Sequence, residues 1–114
     1  MELQSIILTK IEDLKGKQTA VIDVTQLSDH FDTMIITSGT SSRHVQSLAN
    51  HLVEDLKKDG LIKNIRVESD AESQWVLIDL GPTVVHVMQE ETRQFYDLEK
   101  LWSVTHIPSR EIKI

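Results

Sequence analysis

The chain of 114 residues contains no cysteine. That absence excludes a disulfide framework, a thiolate zinc site and a cysteine nucleophile. It also suits a reducing cytosol. Long apolar runs are missing too. The longest unbroken one is Trp75 to Ile78, far short of a bilayer span. The opening "MELQSIILTKIEDLKG" has no basic n-region and carries Glu2, Glu12 and Asp13. It reads as neither a signal peptide nor a mitochondrial transit peptide. A cytoplasmic protein without a membrane partner is the expectation. A basic excess is lacking as well, since 12 basic residues stand against 18 acidic ones, a formal charge of −6. Extensive nucleic-acid binding needs Lys and Arg to displace counterions from phosphates. No basic stripe is present, and Lys57 and Lys58 are flanked by Glu54, Asp55 and Asp59. A protein partner, or a very local nucleic-acid contact, fits better. The length is that of one domain, able to bury roughly two thirds of its unfolded surface.

Nucleotide-binding fingerprints are also absent. "TSGTSSRHVQ", Thr37 to Gln46, joins an apolar run to an amphipathic one. Backbone N–H groups at such a helix start attract anions, which makes Thr40, Ser41, Arg43 and His44 candidate anion-binding residues. Yet "SGTSSRH" is neither a Walker sequence nor Gly-x-Gly-x-x-Gly. A tight turn followed by a helix cap is the plainer reading. "LIDLG" supplies Asp79, but Gly81 falls where a second magnesium-binding acid would be. Ser28-Asp29 and Ser38-Gly39 lack a nucleophile elbow. His51 and Asp55, four apart, have no third ligand nearby in sequence. No catalytic residue, metal or cofactor is expected.

What is present is clear periodicity. Leu3, Ile6, Ile7, Ile11 and Leu14 imply a helix over residues 2–14, with Gly16 as its stop. Residues 20–24 and 33–37 read as strands, joined by a polar connection in which Ser28-Asp29 caps a short turn. Val45, Leu48, Ala49, Leu52, Val53 and Leu56 form one helical stripe, capped by Ser41 or Ser42 and ended by Gly60. Strands follow over 65–68, 75–80 and 84–88. A last helix spans 90–102, with Phe95, Leu98 and Leu101 inward, Glu90 and Glu91 at the positive end of its dipole, and Arg93–Asp97 as a solvated pair. The fold class is α/β (α+β): a single domain over 1–102 with a mixed sheet of about five strands flanked by helices, then a loose C-terminal tail over 103–114. The long helix suits a right-handed crossover.

The strands around "GPT" imply a two-residue type II′ turn, with Gly81 at positive φ and Pro82 after it. That register pairs Leu80 with Thr83, Asp79 with Val84, and Leu77 with His86. One face then carries Val76, Ile78, Leu80, Val85 and Val87 and belongs under helices. The other carries Trp75, Leu77, Asp79, Val84, His86 and Met88. Two readings stand for it: a second covered face in which Asp79 and His86 are an ordinary hydrogen-bonded pair, or a protein-docking face anchored by Trp75, with Met88 as adaptable packing. Tyr96 and Trp102 are the aromatics placed to reach a partner.

"SDHFDTMIITSGTSSRHVQSLANHL" and "WVLIDLGPTVVHVMQEETRQFYDLEKLW" resemble the ribosomal silencing factor family, also called the Iojap family. The resemblance runs from the first helix to Trp102. It rests on Ser28-Asp29, Ser38 to Ser41, Arg43-His44, Trp75, Asp79, His86 and Tyr96 in combination. Pro82 departs from it, since the family usually has an acid after the turn glycine. The resemblance implies a nucleotidyltransferase-like core without catalytic acids and a non-enzymatic role. It implies binding to the large ribosomal subunit through one of its proteins, the fourteenth in the standard naming. Joining of the small subunit is then blocked sterically, and translation falls in starvation or stationary phase. Organellar relatives are tied to large-subunit assembly, and some members pair as homodimers. On this surface Trp75, Leu77, Asp79 and His86 are the expected centre of contact, with Met88 and Tyr96 beside it and Asp79 facing a basic group. An assembly factor that does not silence, and a nucleotide-transferring enzyme using Thr40 to His44, stay open as alternatives.

Overall fold

The computed structural model describes residues 3–25, 31–60, 62 and 64–96. The N-terminal apolar stripe forms α1 (Leu3–Asp13), which buries Ile7 and Ile11. The residue that turns the chain out of α1 is Lys15, with φ 69, and not Gly16 as the sequence implied. Gly16 is required for space: a Cβ there would stand 2.5 Å from Ile11 Cγ2 and 2.6 Å from the Thr37 hydroxyl. The second stripe forms α2 (Ser42–Lys58), which buries Val45, Leu48, Ala49, Leu52 and Leu56. It ends at Gly60, whose φ of +70 is the left-handed conformation that glycine adopts freely.

Five strands make one mixed sheet: β1 (Lys17–Asp23), β2 (Thr33–Gly39), β3 (Arg66–Ser69), β4 (Trp75–Asp79) and β5 (Thr83–Gln89), in the order β1-β2-β5-β4-β3. β2 and β5 are parallel, and every other pair is antiparallel. β1 begins at Lys17, earlier than residue 20, because a bulge with Gln18 at φ 49 lets it continue past a register shift. The β4–β5 register is the expected one, with Leu77 opposite His86 and Asp79 opposite Val84. Gly81 takes φ +96 in the turn, and Leu80 N–H donates to Thr83 O at 2.9 Å. The Pro82 carbonyl accepts the N–H groups of Asp32 and Thr33, which fastens the turn to the start of β2.

One sheet face packs under α1 and α2. Ile35, Val76, Ile78, Leu80, Val85 and Val87 meet Ile7, Ile11 and the buried stripe of α2 there. A smaller cluster lies on the other face: Ile22, Val24, Met34, Ile36 and Met88, with Phe31 and Trp75 at its margin. α3 (Glu90–Tyr96) packs against β5 and β2. Arg93 does not lie on a solvated face, and its expected pairing with Asp97 lies outside the described residues. Arg93 is buried, and its guanidinium donates to Ser38 Oγ at 2.8 Å. Phe95, expected to face inward, is 80% exposed. The two corrections share a cause. Residues two apart on a helix point to nearly opposite sides, so seating Arg93 on the sheet turns Phe95 outward. Ser28, Asp29, Asp97, Leu98, Leu101, Trp102 and the tail lie outside the described residues.

Candidate functional site

On the face away from α1 and α2, alternation along each strand builds a grid of side chains. β5 contributes Val84, His86 and Met88. β4 contributes Trp75, Leu77 and Asp79, and β3 contributes Arg66 and Glu68, in register with Asp79 and Leu77. Trp75 and His86 are diagonal neighbours, with ring centroids 5.8 Å apart and planes tilted by 51°. The indole N–H donates to His86 Nδ1 at 3.0 Å, so the imidazole proton sits on Nε2. His86 is 9% exposed. Burial lowers its pKa from 6.5 to about 4, which keeps the ring neutral at pH 7.

These rings border an open pocket of about 340 Å³ lined by Glu68, Ser69, Asp70, Trp75, Leu77 and His86. Its rim is built by the loop between β3 and β4. Asp70 Oδ1 accepts the backbone N–H groups of Gln74 at 2.8 Å and Trp75 at 3.1 Å. Ser73, at φ 55, closes the turn by donating its N–H to the Asp70 carbonyl. That carboxylate therefore fixes the strand that carries Trp75.

Of the residues expected in a docking surface, Trp75, Leu77 and Asp79 are half-buried and share one face with His86. Met88 must be withdrawn from it. It is fully buried and packs with Ile22, Val24, Met34 and Ile36. The parallel neighbour β2 and the edge strand β1 supply that cover, and neither was registered against β5 in the sequence. Asp79 and His86 do not bond each other: Asp79 Oδ1 accepts the Gly81 N–H at 3.0 Å, while His86 takes the indole. Tyr96 is the last described residue of α3, and its side chain lies outside the described set. Glu68, Ser69 and Asp70 were missed. Their signal lay in strand alternation, but the five-residue loop before Trp75 gives no register from sequence.

The second candidate stretch is a cap. Ser41 caps α2, its hydroxyl accepting the His44 N–H at 3.1 Å. Thr40 N–H donates to His44 Nδ1 at 2.9 Å, so the other ring nitrogen carries the proton and donates to the Leu14 carbonyl at 3.0 Å. His44 thus latches the start of α2 to the end of α1. Thr40, Ser41 and His44 are hydrogen-bonded to one another and to the Leu14 carbonyl, and Arg43 is exposed with no hydrogen bond or ion pair among the described residues. His51 Nδ1 donates to the Ser47 carbonyl at 2.8 Å. Among the described residues, no three His or acidic side chains form a metal-binding group, and no helix is long and apolar enough to cross a membrane.

The family model described as "Ribosomal silencing factor during starvation" matches residues 1–113. This chain belongs to the ribosomal silencing factor family. A ribosomal silencing factor from Haemophilus influenzae is 38% identical over 103 residues, 90% of this chain and 100% of that protein. A mouse relative, "Mitochondrial assembly of ribosomal large subunit protein 1", is 31% identical over 101 residues, 87% of this chain and 44% of its own length. A crystal structure of a Chromobacterium violaceum protein superposes with a TM-score of 0.81 at 38% identity, covering 99% of this chain and 95% of that one. A ribosome-associated role in silencing or assembly is therefore the family setting of this chain.

Proposed function

We propose that this protein docks on the large ribosomal subunit through the Trp75–Leu77–Asp79–His86 face and blocks joining of the small subunit, which represses translation in the cytoplasm. The partner on that surface is a ribosomal protein, the fourteenth of the large subunit by the family resemblance, and Tyr96 flanks the contact. One observation carries the reading. Trp75 is half-buried at the margin of the smaller apolar cluster, where the His86 bond orients its ring beside an open pocket. Tryptophan is enriched among the few residues that carry most of the binding energy of protein–protein contacts. The acidic balance of the chain, −6, favours a basic protein surface over the phosphates around it.

The name of the mouse relative favours a second reading, large-subunit assembly without silencing. Sedimentation of purified ribosomal subunits separates the two. Comigration with the large subunit and fewer joined particles is the outcome expected for silencing. Comigration with undiminished joining supports the assembly reading. Absence of comigration removes both. The nucleotide-transferring alternative finds little support, because Thr40, Ser41 and His44 are engaged in the α2 cap.

A further inference from the structure

The pocket beside Trp75 has a chemistry that the docking reading does not assign. Among the described residues, its lining contains no Lys or Arg. Glu68 and Asp70 stand on the rim, and both are exposed. Asp70 Oδ1 is committed to two backbone N–H groups, which leaves its second oxygen as an acceptor. Leu77 and the Trp75 ring supply apolar walls. His86, nine-tenths buried, also lines the pocket; its Nδ1 holds the indole N–H, and its Nε2–H has no acceptor among the described residues. Asp79, the acid first expected to meet a partner's base, has Arg66 as its cross-strand neighbour. Among the described residues none of Asp79, Glu68 and Asp70 forms an ion pair, and Glu68 and Asp70 are the two that line the pocket.

We infer that this pocket receives an arginine side chain of the protein partner, its guanidinium held by Glu68 and Asp70 against the Trp75 ring. The inference rests on the docking reading above. A guanidinium is planar, stacks on an indole and presents several N–H donors to carboxylates at once. Its aliphatic stem lies along apolar walls such as Leu77 while the head stays at the charged rim. The buried imidazole N–H then finds an acceptor in a backbone carbonyl of the arriving segment, where charge-assisted and neutral hydrogen bonds are formed together. A phosphate of ribosomal RNA is the opposite case, repelled by both carboxylates.

The test uses the full chain and purified large subunits. Glu68→Gln removes one charge from an exposed position of edge strand β3 and should leave thermal unfolding unchanged. Glu54→Gln, exposed on α2 in the other layer, is the control. Binding by Glu68→Gln is expected to weaken about tenfold, as for loss of a charge-assisted contact, while Glu54→Gln binds like the unmodified protein. A photoreactive amino acid in place of Ser69 should crosslink to a ribosomal-protein peptide that contains arginine. Equal binding by Glu68→Gln and the unmodified protein, or a crosslink to RNA, overturns the pocket assignment and leaves subunit docking standing. Failure of the unmodified protein to bind removes the docking reading, and the pocket assignment with it.

Discussion

His86 ties stability to pH through a single ring. Its folded pKa of about 4 lies below the ordinary 6.5 because burial disfavours the charged form. The unfolded chain therefore binds a proton that the folded chain does not, between those two values. Stability contributed by this group is complete above about pH 6.5 and is lost as pH falls toward 4, by about 3 kcal/mol in all. Denaturant unfolding at a series of pH values should show this slope, and His86→Gln should remove it. Trp75 carries the corresponding prediction for binding. Trp75→Ala should weaken large-subunit binding by about 2 kcal/mol or more if the ring is the anchor, read by cosedimentation. Wild-type binding by a folded variant would refute that role. Gly39 is a residue chosen for space. A Cβ there would stand 2.9 Å from the Val45 backbone nitrogen, so Gly39→Ala should cost about 1–3 kcal/mol of stability by overpacking, measured by chemical denaturation.

At the scale of elements, α2 is held at its start by two linked contacts. Ser41 accepts the His44 N–H, and His44 reaches back to the Leu14 carbonyl. Ser41→Ala should therefore cost about 1 kcal/mol, the usual worth of an N-cap, as a lowered denaturation midpoint with an unchanged slope. α3 behaves differently. Its apolar side is meagre, and buried Arg93 secures it to Ser38 on β2. The helix stripes and the β4–β5 hairpin were legible in the sequence because their signals are local: spacing, a cap and a turn glycine. The inward face of α3 was not legible. With only one apolar residue among its described inward candidates, the choice between Arg93 and Phe95 depended on what the strand ends offered.

The whole molecule is acidic and would work against an RNA-rich particle. Docking on a protein surface predicts weak salt dependence. Binding should fall by less than about tenfold between about 50 and about 200 mM salt, where a protein neutralising many phosphates loses about a thousandfold or more. Sedimentation across that range decides it, and a steep loss would point to RNA contact.

The sequence by itself determined what depends on neighbours along the chain. It set the two long helices, the strands, the register of the β4–β5 hairpin, and hence that Trp75, Leu77, Asp79 and His86 share a face. It also carried the family. Tertiary structure alone decided which of those residues are available. Placing β2 beside β5 and β1 beside β2 buried Met88, and placing β3 beside β4 brought Glu68 and Asp70 to the rim of the pocket and Arg66 opposite Asp79. The physical reason is that a strand's periodicity assigns its side chains to two faces. Burial on either face is set by strands and helices that arrive from elsewhere in the chain.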